Sequence, residues 1–373
     1  MVQAFSRKQM MFPTLEYLRW AKSLPPVEIN LARSGIEHCP SSLLGLTTRD
    51  LVSNLPVKYG YEPLKAAIAN RYGVAADRVF TVSGGTSFAN WVACAAVWHG
   101  AGRGAEALVE RPTYEPLLKV PEALGFRVRR FERRFTDGYA IDLDHFAARI
   151  RPTTRLALVS NLHNPSGARI PLPTLRKMAR LLAKVGGVLL VDEVYLECVF
   201  GQHAESSVHA GANVLTTNSL TKAYGLDGLR AGWILGPRSL IERAGLVNDL
   251  MTNNGVAPGE RMALAAFRRL RAIDRRAHDI LDPNLGTIRR FFASERRLDA
   301  HVPSGGNVVF PRLPASVDSD RLADRLLRRY STLIVPGRFF GTPRHIRISF
   351  GCAAPLLERG LANISRALSE ETR

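Results

Sequence analysis

A single lysine sits where carbonyl chemistry is possible. Lys222 lies in a small-residue loop, Asn218 to Gly232, that follows the apolar run Val214 to Thr217, with Ser219 three residues before it and Arg230 eight residues after. A solvated ammonium is a poor nucleophile, but desolvation and nearby cations lower the pKa of a lysine until its amine condenses with an aldehyde. A serine hydroxyl and a planar guanidinium fork suit a phosphate. A reactive amine, a phosphate site and flanking glycines together imply pyridoxal phosphate. Taken alone, Ser219-x-x-Lys222 reads better as a surface-loop lysine beside an ordinary arginine, so the remaining segments decide.

Four of them converge on the same ligand. Val82-Ser83-Gly84-Gly85-Thr86-Ser87 follows a strand-like run and opens a helical one, so backbone N–H groups and the Thr86 hydroxyl are placed for a phosphate. Pro112-Thr113-Tyr114 offers an aromatic face to a planar ring, or simply a core tyrosine. Asn161 to Gly167 comes directly after a strand and sets the amide of Asn164 where open α/β sheets bind ligands. Val191-Asp192-Glu193-Val194-Tyr195 closes the next strand. A carboxylate buried there needs a cation, and a protonated pyridine nitrogen is one; a helix N-cap is the competing reading of Asp192.

The elements that must position these groups are short. Val79–Val82, Glu106–Val109, Leu156–Val159, Val188–Val191 and Ala231–Leu235 are apolar runs bounded by turn residues, as expected of strands buried on both faces of a mostly parallel sheet. Helical stripes alternate with them, for example Leu175, Met178 and Leu182. This is an α/β pattern. Before it, Thr14 to Leu24 reads as a helix ended by Pro25-Pro26, Ile29 to Gly35 as an extended segment, and Pro63 to Asn70 as a short helix. After it, Gly259 to Phe292 has helical spacing interrupted at Pro283, and the last eighty or so residues alternate strands at Asn307–Phe310, Thr332–Val335 and His345–Phe350 with helices, an α+β texture.

The 373 residues, 46% hydrophobic, suffice for a large unit and a smaller one. The start, Met1 to Pro13, lacks the apolar core of a signal peptide, and no run reaches membrane-spanning length, so a cytoplasmic protein with no membrane partner is expected. Cys39, Cys94, Cys198 and Cys352 form no Cys-x-x-Cys pair, which argues against a zinc or redox motif. A net charge of +18 and a pI near 10.4 raise the question of nucleic acid, but the excess is spread through doublets such as Arg129-Arg130, Arg133-Arg134 and Arg268-Arg269 with no polybasic arm. The doublets read as solvated helix faces, and anionic small ligands are favoured over a nucleic-acid surface.

In their order and spacing, Asn164-Pro165-Ser166-Gly167, Asp192 with Tyr195, and Ser219-x-x-Lys222 with Arg230 resemble the class I/II aminotransferases, pyridoxal-phosphate enzymes of fold type I. The resemblance runs from Gly35 to Arg347. It implies an aspartate aminotransferase-like fold: a large domain, residues 36–282, with a seven-stranded mostly parallel sheet, and a small domain from residues 1–35 and 283–373. It implies that Lys222 forms the internal aldimine and then shuttles a proton, that Asp192 pairs with the ring nitrogen, that Asn164 and Tyr195 donate to the phenolate oxygen, and that Tyr114 stacks on the ring. Gly85, Thr86, Ser219 and Arg230 would hold the phosphate, while Arg347, with Asn164 and the backbone of Gly35, would hold the substrate carboxylate. The implied chemistry is ping-pong amino transfer between an α-amino acid and a 2-oxo acid. The implied assembly is a homodimer with sites at the interface, Tyr59 reaching the neighbour's phosphate or packing in its own core. The peptides before Pro165 and Pro112 are expected to be cis. Other reactions on the same scaffold, such as β-elimination, decarboxylation or racemisation, share these motifs, and a DNA-binding regulator with an aminotransferase-like fold would lack room for its extra N-terminal domain.

Overall fold

A computed structural model describes residues 12–51, 59–199, 205–303 and 305–371. Most of the Met1–Pro13 start, and residues 55–58 beside Tyr59, lie outside these. The chain enters through helix α1 (Glu16–Ser23), strand β1 (Ile29–Asn30) and helix α2 (Glu62–Tyr72). Then come β2 (Val79–Ser83), α3 (Gly85–Trp98), β3 (Glu106–Arg111), α4 (Glu115–Leu124), β4 (Arg127–Glu132), α5 (Leu143–Arg149), β5 (Thr154–Ser160), α6 (Leu172–Ala183), β6 (Val188–Asp192), β7 (Val214–Ser219), β8 (Ala231–Leu235) and α7 (Arg238–Asp249). Two long helices, α8 (Ala257–Arg268) and α9 (Leu270–Ser294), lead to β9 (Val308–Val309), α10 (Ser319–Tyr330), β10 (Thr332–Leu333), β11 (Val335–Pro336), β12 (Ile346–Ser349) and α11 (Ala354–Glu371).

The main sheet has seven strands in the order β2-β8-β7-β6-β5-β3-β4, and only β8 runs against its neighbours. The apolar runs form its centre because both faces are covered. Ala107, Val109, Leu156, Leu158 and Leu190 meet α3, α4 and α7 on one side. Leu108, Ala157, Val159, Leu189 and Val191 meet α5 and α6 on the other. A smaller antiparallel sheet, β11-β12-β9, lies among α9, α10 and α11, and β1 from the N-terminal end pairs in parallel with β10. No helix among the described residues is long and apolar enough to cross a membrane.

Three expectations need correction. Arg129-Arg130 is on no helix: it belongs to β4, the edge strand, where both side chains are half-buried, Arg129 donating to the Arg149 carbonyl at 2.8 Å and Arg130 to the Val109 and Glu110 carbonyls at 3.3 and 2.7 Å. Its neighbour Arg133 is wholly buried. Pro283 does not interrupt α9, because it lies on the exposed side of a helix held by Ile273, Ala277, Leu281, Leu285 and Ile288 on its buried face, so the missing N–H faces water. The cis peptides are Arg111–Pro112, as expected, and Asn161–Leu162; Asn164–Pro165 is trans. The chain reverses at Asn161, whose side chain brackets the backbone of Ile170 at 3.2 and 2.9 Å, so Asn164 already lies inside a turn closed by Gly167 N–H on the His163 carbonyl at 2.7 Å.

Beneath that turn runs a buried ionic network. Glu110, at the end of β3, accepts from Arg133 Nη1 at 2.8 Å and from both the backbone N–H and the hydroxyl of Ser160, at 2.7 and 2.6 Å. Arg133 also donates to the Tyr139 carbonyl at 2.6 Å. His163 is held far below its ordinary pKa by burial and by the Arg133 cation, so it is neutral, donating from Nε2 to the Pro112 carbonyl and accepting at Nδ1 from Ser166. Arg133→Met therefore leaves Glu110 buried and uncompensated, and equilibrium urea unfolding is expected to show a loss of about 3–5 kcal/mol. The double variant with Glu110→Gln should recover a large part of it. A single variant as stable as the parent would mean that the pair carries no such constraint.

Candidate active site

The candidate residues meet because of where the strands end. β3 ends before Pro112–Tyr114, β5 at Ser160 before the Asn161–Gly167 turn, β6 at Asp192 and β7 at Ser219, all at one edge of the sheet. Reversal of β8 brings its first residue to that edge as well: Ala231 pairs with Ser83 and Gly232 with Ser219. Arg230, just before β8, is thereby set beside the start of α3. The cavity there holds about 710 Å³ of atom-free space, partly open to solvent, and its wall includes Thr86, Tyr114, Asn164, Asp192, Lys222 and Arg230.

One end of the cavity is an anion cradle. No side chain caps the N-terminus of α3; its first N–H, on Gly85, donates to the Arg230 carbonyl at 3.3 Å, and the next two residues, Thr86 and Ser87, are on the cavity wall. Thr86, Ser219 and Thr221 share a hydroxyl chain, 2.6 and 2.7 Å between successive oxygens. Arg230 adopts a left-handed backbone (φ 49°) and reaches across the mouth, donating to the Gly84 and Asp227 carbonyls at 2.5 and 3.2 Å. Gly85 has φ 69°, and a Cβ there would come within 2.9 Å of the Thr221 methyl and 3.3 Å of the Arg230 guanidinium. Only glycine leaves this space.

Lys222 stands on the turn after β7, its Nζ donating to the Ser34 hydroxyl at 2.7 Å. Burial and the Arg347 cation pull its pKa down to about 8, with Arg230 and Arg33 acting the same way and Asp227 opposing. Asp192 is buried at the end of β6 and accepts from Asn90 Nδ2 at 2.8 Å and the Val194 N–H at 3.1 Å. Asn90 is itself held by the Thr217 hydroxyl at 2.6 Å. Burial pushes the Asp192 carboxyl up to about 6 against the pull of Asn90 and Val194, and it forms no salt bridge among the described residues. A carboxylate so placed is suited to a cationic ring nitrogen.

Tyr114 and Tyr195 line the same cavity, and burial raises both phenols, so each keeps its proton and remains a donor. Asn164 is fixed through its backbone N–H to Ser160 Oγ at 3.0 Å, and its side-chain oxygen accepts from Arg347 Nη1 at 3.1 Å. Arg347 lies behind Asn164, fully buried on β12, without a carboxylate partner among the described residues and with its Nε unpaired. Gly35 lies against the Lys222 backbone, where a Cβ would be 3.3 Å from the Thr221 carbonyl. The cradle, the solitary carboxylate, the activated amine and the unneutralised guanidinium fit pyridoxal phosphate together with an amino-acid carboxylate. Tyr59 is not brought in. It is 53% exposed and donates to Asp249 of its own chain at 3.1 Å, neither packed in the core nor on the cavity wall.

Sequence reasoning passed over Ser34, Asn90 and Thr221. Asn90 did leave a signal, a lone amide in the run Ala89–Val97 of an otherwise apolar helix. Ser34 left none, since only the fold lays the N-terminal segment over Lys222.

Residues 49–364 match the family described as aminotransferase class I and II. The chain is 36% identical over 317 residues to capreomycidine synthase of Streptomyces vinaceus, covering 84% of this chain and 80% of that protein. It is 29% identical over 280 residues to the arginine–pyruvate transaminase of Pseudomonas aeruginosa, covering 72% and 70%. Among solved structures it is similar to the PLP-dependent cyclase OrfR, with a TM-score of 0.87 at 27% identity over 98% of this chain and 99% of the other.

The lowered pKa of Lys222 has a direct consequence in the cofactor-free protein. The neutral, reactive amine grows in as pH rises through about 8, well below the value of 10.5 for an ordinary lysine. Trinitrobenzenesulfonate modification of Lys222, located by peptide mass, should show its half-maximal rate near pH 8. An inflection no lower than that of the surface lysines would contradict the environment described.

Proposed function

From the premise that the chain belongs to the class I and II aminotransferase family and uses pyridoxal phosphate, we propose that it moves the amino group of an α-amino acid to a 2-oxo acid with Lys222 as the proton carrier. The observation that carries this reading is the desolvated Lys222 amine on one cavity wall with Asp192, and Arg347 behind Asn164. When bound, the cofactor supplies an aldehyde that condenses with amines and a ring that accepts electron density from the amino acid's Cα.

The chain's own residues do the rest. Lys222, neutral near its working pH, would hold the cofactor and, once displaced by substrate, take a proton from Cα at its Nζ and return it. Asp192, kept in orientation by Asn90, would hold a proton on the ring nitrogen. Asn164 and Tyr195 would donate to the phenolate oxygen, and Tyr114 would cover the ring face. Thr86, Ser219, Arg230 and the N–H groups that follow Gly85 would hold the phosphate, with Gly85 leaving the space for it. Arg347 would fix the substrate carboxylate, with Gly35 alongside. The division into residues 36–282, and 1–35 with 283–373, is proposed on the same footing, as is a cytoplasmic setting, consistent with four unpaired cysteines.

A second reading is favoured by the 36% identity to a synthase and by the cyclase among the similar structures: ring closure of an amino acid that keeps its α-nitrogen, a side-chain nucleophile replacing a β-substituent that leaves with the bonding electrons. The two separate by stoichiometry. Arginine and other amino donors are offered with pyruvate or 2-oxoglutarate. Amino transfer should release one donor-derived 2-oxo acid for each new amino acid, and Lys222→Ala should abolish it. Consumption of a β-substituted donor without any acceptor, 2-oxo acid or CO2, giving a cyclic amino acid lighter by the departed substituent, would replace amino transfer by cyclisation.

A homodimer is proposed from the surface beside the cavity mouth. Leu246, Leu250, Met251 and Val256 are exposed on α7 and after it, with Tyr59 against Gly245, and Val256 lines a groove with Arg230. Exposed large apolar side chains gathered in one stretch of chain support an interface. Sedimentation is expected to give a dimer, Leu250→Asp to shift it toward monomer, and Tyr59→Phe to weaken cofactor affinity by about 1.5–3 kcal/mol through loss of a bond to a neighbouring phosphate. A fully active monomer would reject the shared site.

A further inference from the structure

We propose that Tyr17 is a substrate-binding residue whose hydroxyl acts with Arg347 on the α-carboxylate of the amino acid, and that α1 exists to deliver it. The proposal rests on the amino-acid reading above and extends it to a residue for which the sequence carries no motif.

The Arg347 guanidinium is wholly buried, and its hydrogen-bond partners are all neutral: Asn164 Oδ1 at 3.1 Å, the Tyr17 hydroxyl at 2.9 Å and the Ala32 carbonyl at 2.9 Å. Its Nε has no partner. Because Arg347 Nη2 donates into the phenolic oxygen, the phenolic proton of Tyr17 must point elsewhere, and no acceptor takes it among the described residues. Tyr17 is only 7% exposed. Two donors are therefore unspent, one on each of the two joined residues. A carboxylate accepts at both oxygens and brings the counter-charge that the guanidinium lacks, so one ligand group satisfies both.

The placement of Tyr17 is over-determined. The backbone N–H groups of Glu16 and Tyr17, at the start of α1, both donate to the Glu115 carboxylate, at 2.9 and 2.8 Å. One acidic side chain from α4 thus caps α1 from outside, where the helix lacks a cap of its own. Glu115 directly follows Tyr114, and the ring of Tyr114 meets that of Tyr17 edge-on at 5.8 Å. Phe339 and Phe340 hold the ring from the β11–β12 side, at 5.6 and 6.2 Å. The phenol is locked by packing, and its free valence lies at Arg347.

The test is Tyr17→Phe in the holoenzyme, which keeps the ring and removes the hydroxyl. Equilibrium binding of the α-methyl derivative of the best amino donor, which binds but has no Cα proton to lose, should weaken by about tenfold or more. KM for the donor should rise by a similar factor with a much smaller change in kcat, and the preference for the amino acid over its decarboxylated amine should fall by about the same tenfold. Glu115→Gln, which keeps the phenol and weakens its anchor, should shift binding in the same direction by less. Unchanged binding in both variants overturns the proposal, as does an equal loss for acid and amine. Tighter binding in Tyr17→Phe also overturns it and would make the hydroxyl an occluding placeholder. A wild-type enzyme that turns over no amino acid would instead defeat the amino-transfer reading, which this comparison of variants does not decide.

Discussion

Buried charge without counter-charge is the constraint on which this structure turns. Asp192 and Arg347 are each desolvated with only neutral partners, and Lys222 sits between them with its proton loosened by the same burial. Taking an ion out of water costs several kcal/mol even after relaxation, and the hydrogen bonds that Asn90 donates and that Asn164 and Ser34 accept return only part of that. A core that merely had to be stable would replace these groups with apolar ones. Their retention around one cavity makes sense if the ligand completes them: a cationic ring nitrogen for Asp192, an aldehyde for Lys222, a carboxylate for Arg347.

Holding such groups in place demands a rigid surround. The sheet meets that demand by ending four parallel strands at one edge and running β8 backwards, so that residues as distant in sequence as Ser83, Ser219 and Arg230 share a few ångströms. The glycines at 85 and 232 follow from the same convergence, since a Cβ on Gly232 would lie 3.0 Å from the backbone of Gly85. Farther out, Glu110 and Arg133 tie the ends of β3, β4 and β5 together through Ser160, which in turn fixes Asn164. The ion pair thus bears on the site without touching a ligand, and it shows why an arginine excess need not be a surface property.

The N-terminal segment adds the final wall. Ser34 receives Lys222, Ala32 receives Arg347, and α1 lies over both through Tyr17. The antiparallel strap of β11, β12 and β9 supplies Arg347 from the other end of the chain, and the pairing of β1 with β10 joins the two ends. Groups that act on one substrate therefore come from both termini and from the centre of the sequence.

What the sequence alone determined is the part governed by local chemistry. Apolar runs of strand length bounded by turns announce a parallel sheet, and polar residues directly after them, Asn164, Asp192, Ser219 and Lys222, announce a site at its edge, because a strand's end is where a side chain leaves the core. Glycine at 85 was legible for the same reason. What tertiary structure decided is everything that depends on partners distant in sequence. Arg129-Arg130 looks solvated until β3 pairs with it, Arg133 looks solvated until Glu110 meets it, and Pro283 looks like a break until its helix face is seen to be exposed. The cis peptide sits at Asn161–Leu162 because the reversal is fixed by the Asn161 contacts with Ile170, which no spacing records. Asn90, Ser34 and Tyr17 acquire their roles only when helix, loop and strand from separate regions are packed together, since a hydrogen bond depends on distance in space and a sequence specifies only distance along the chain.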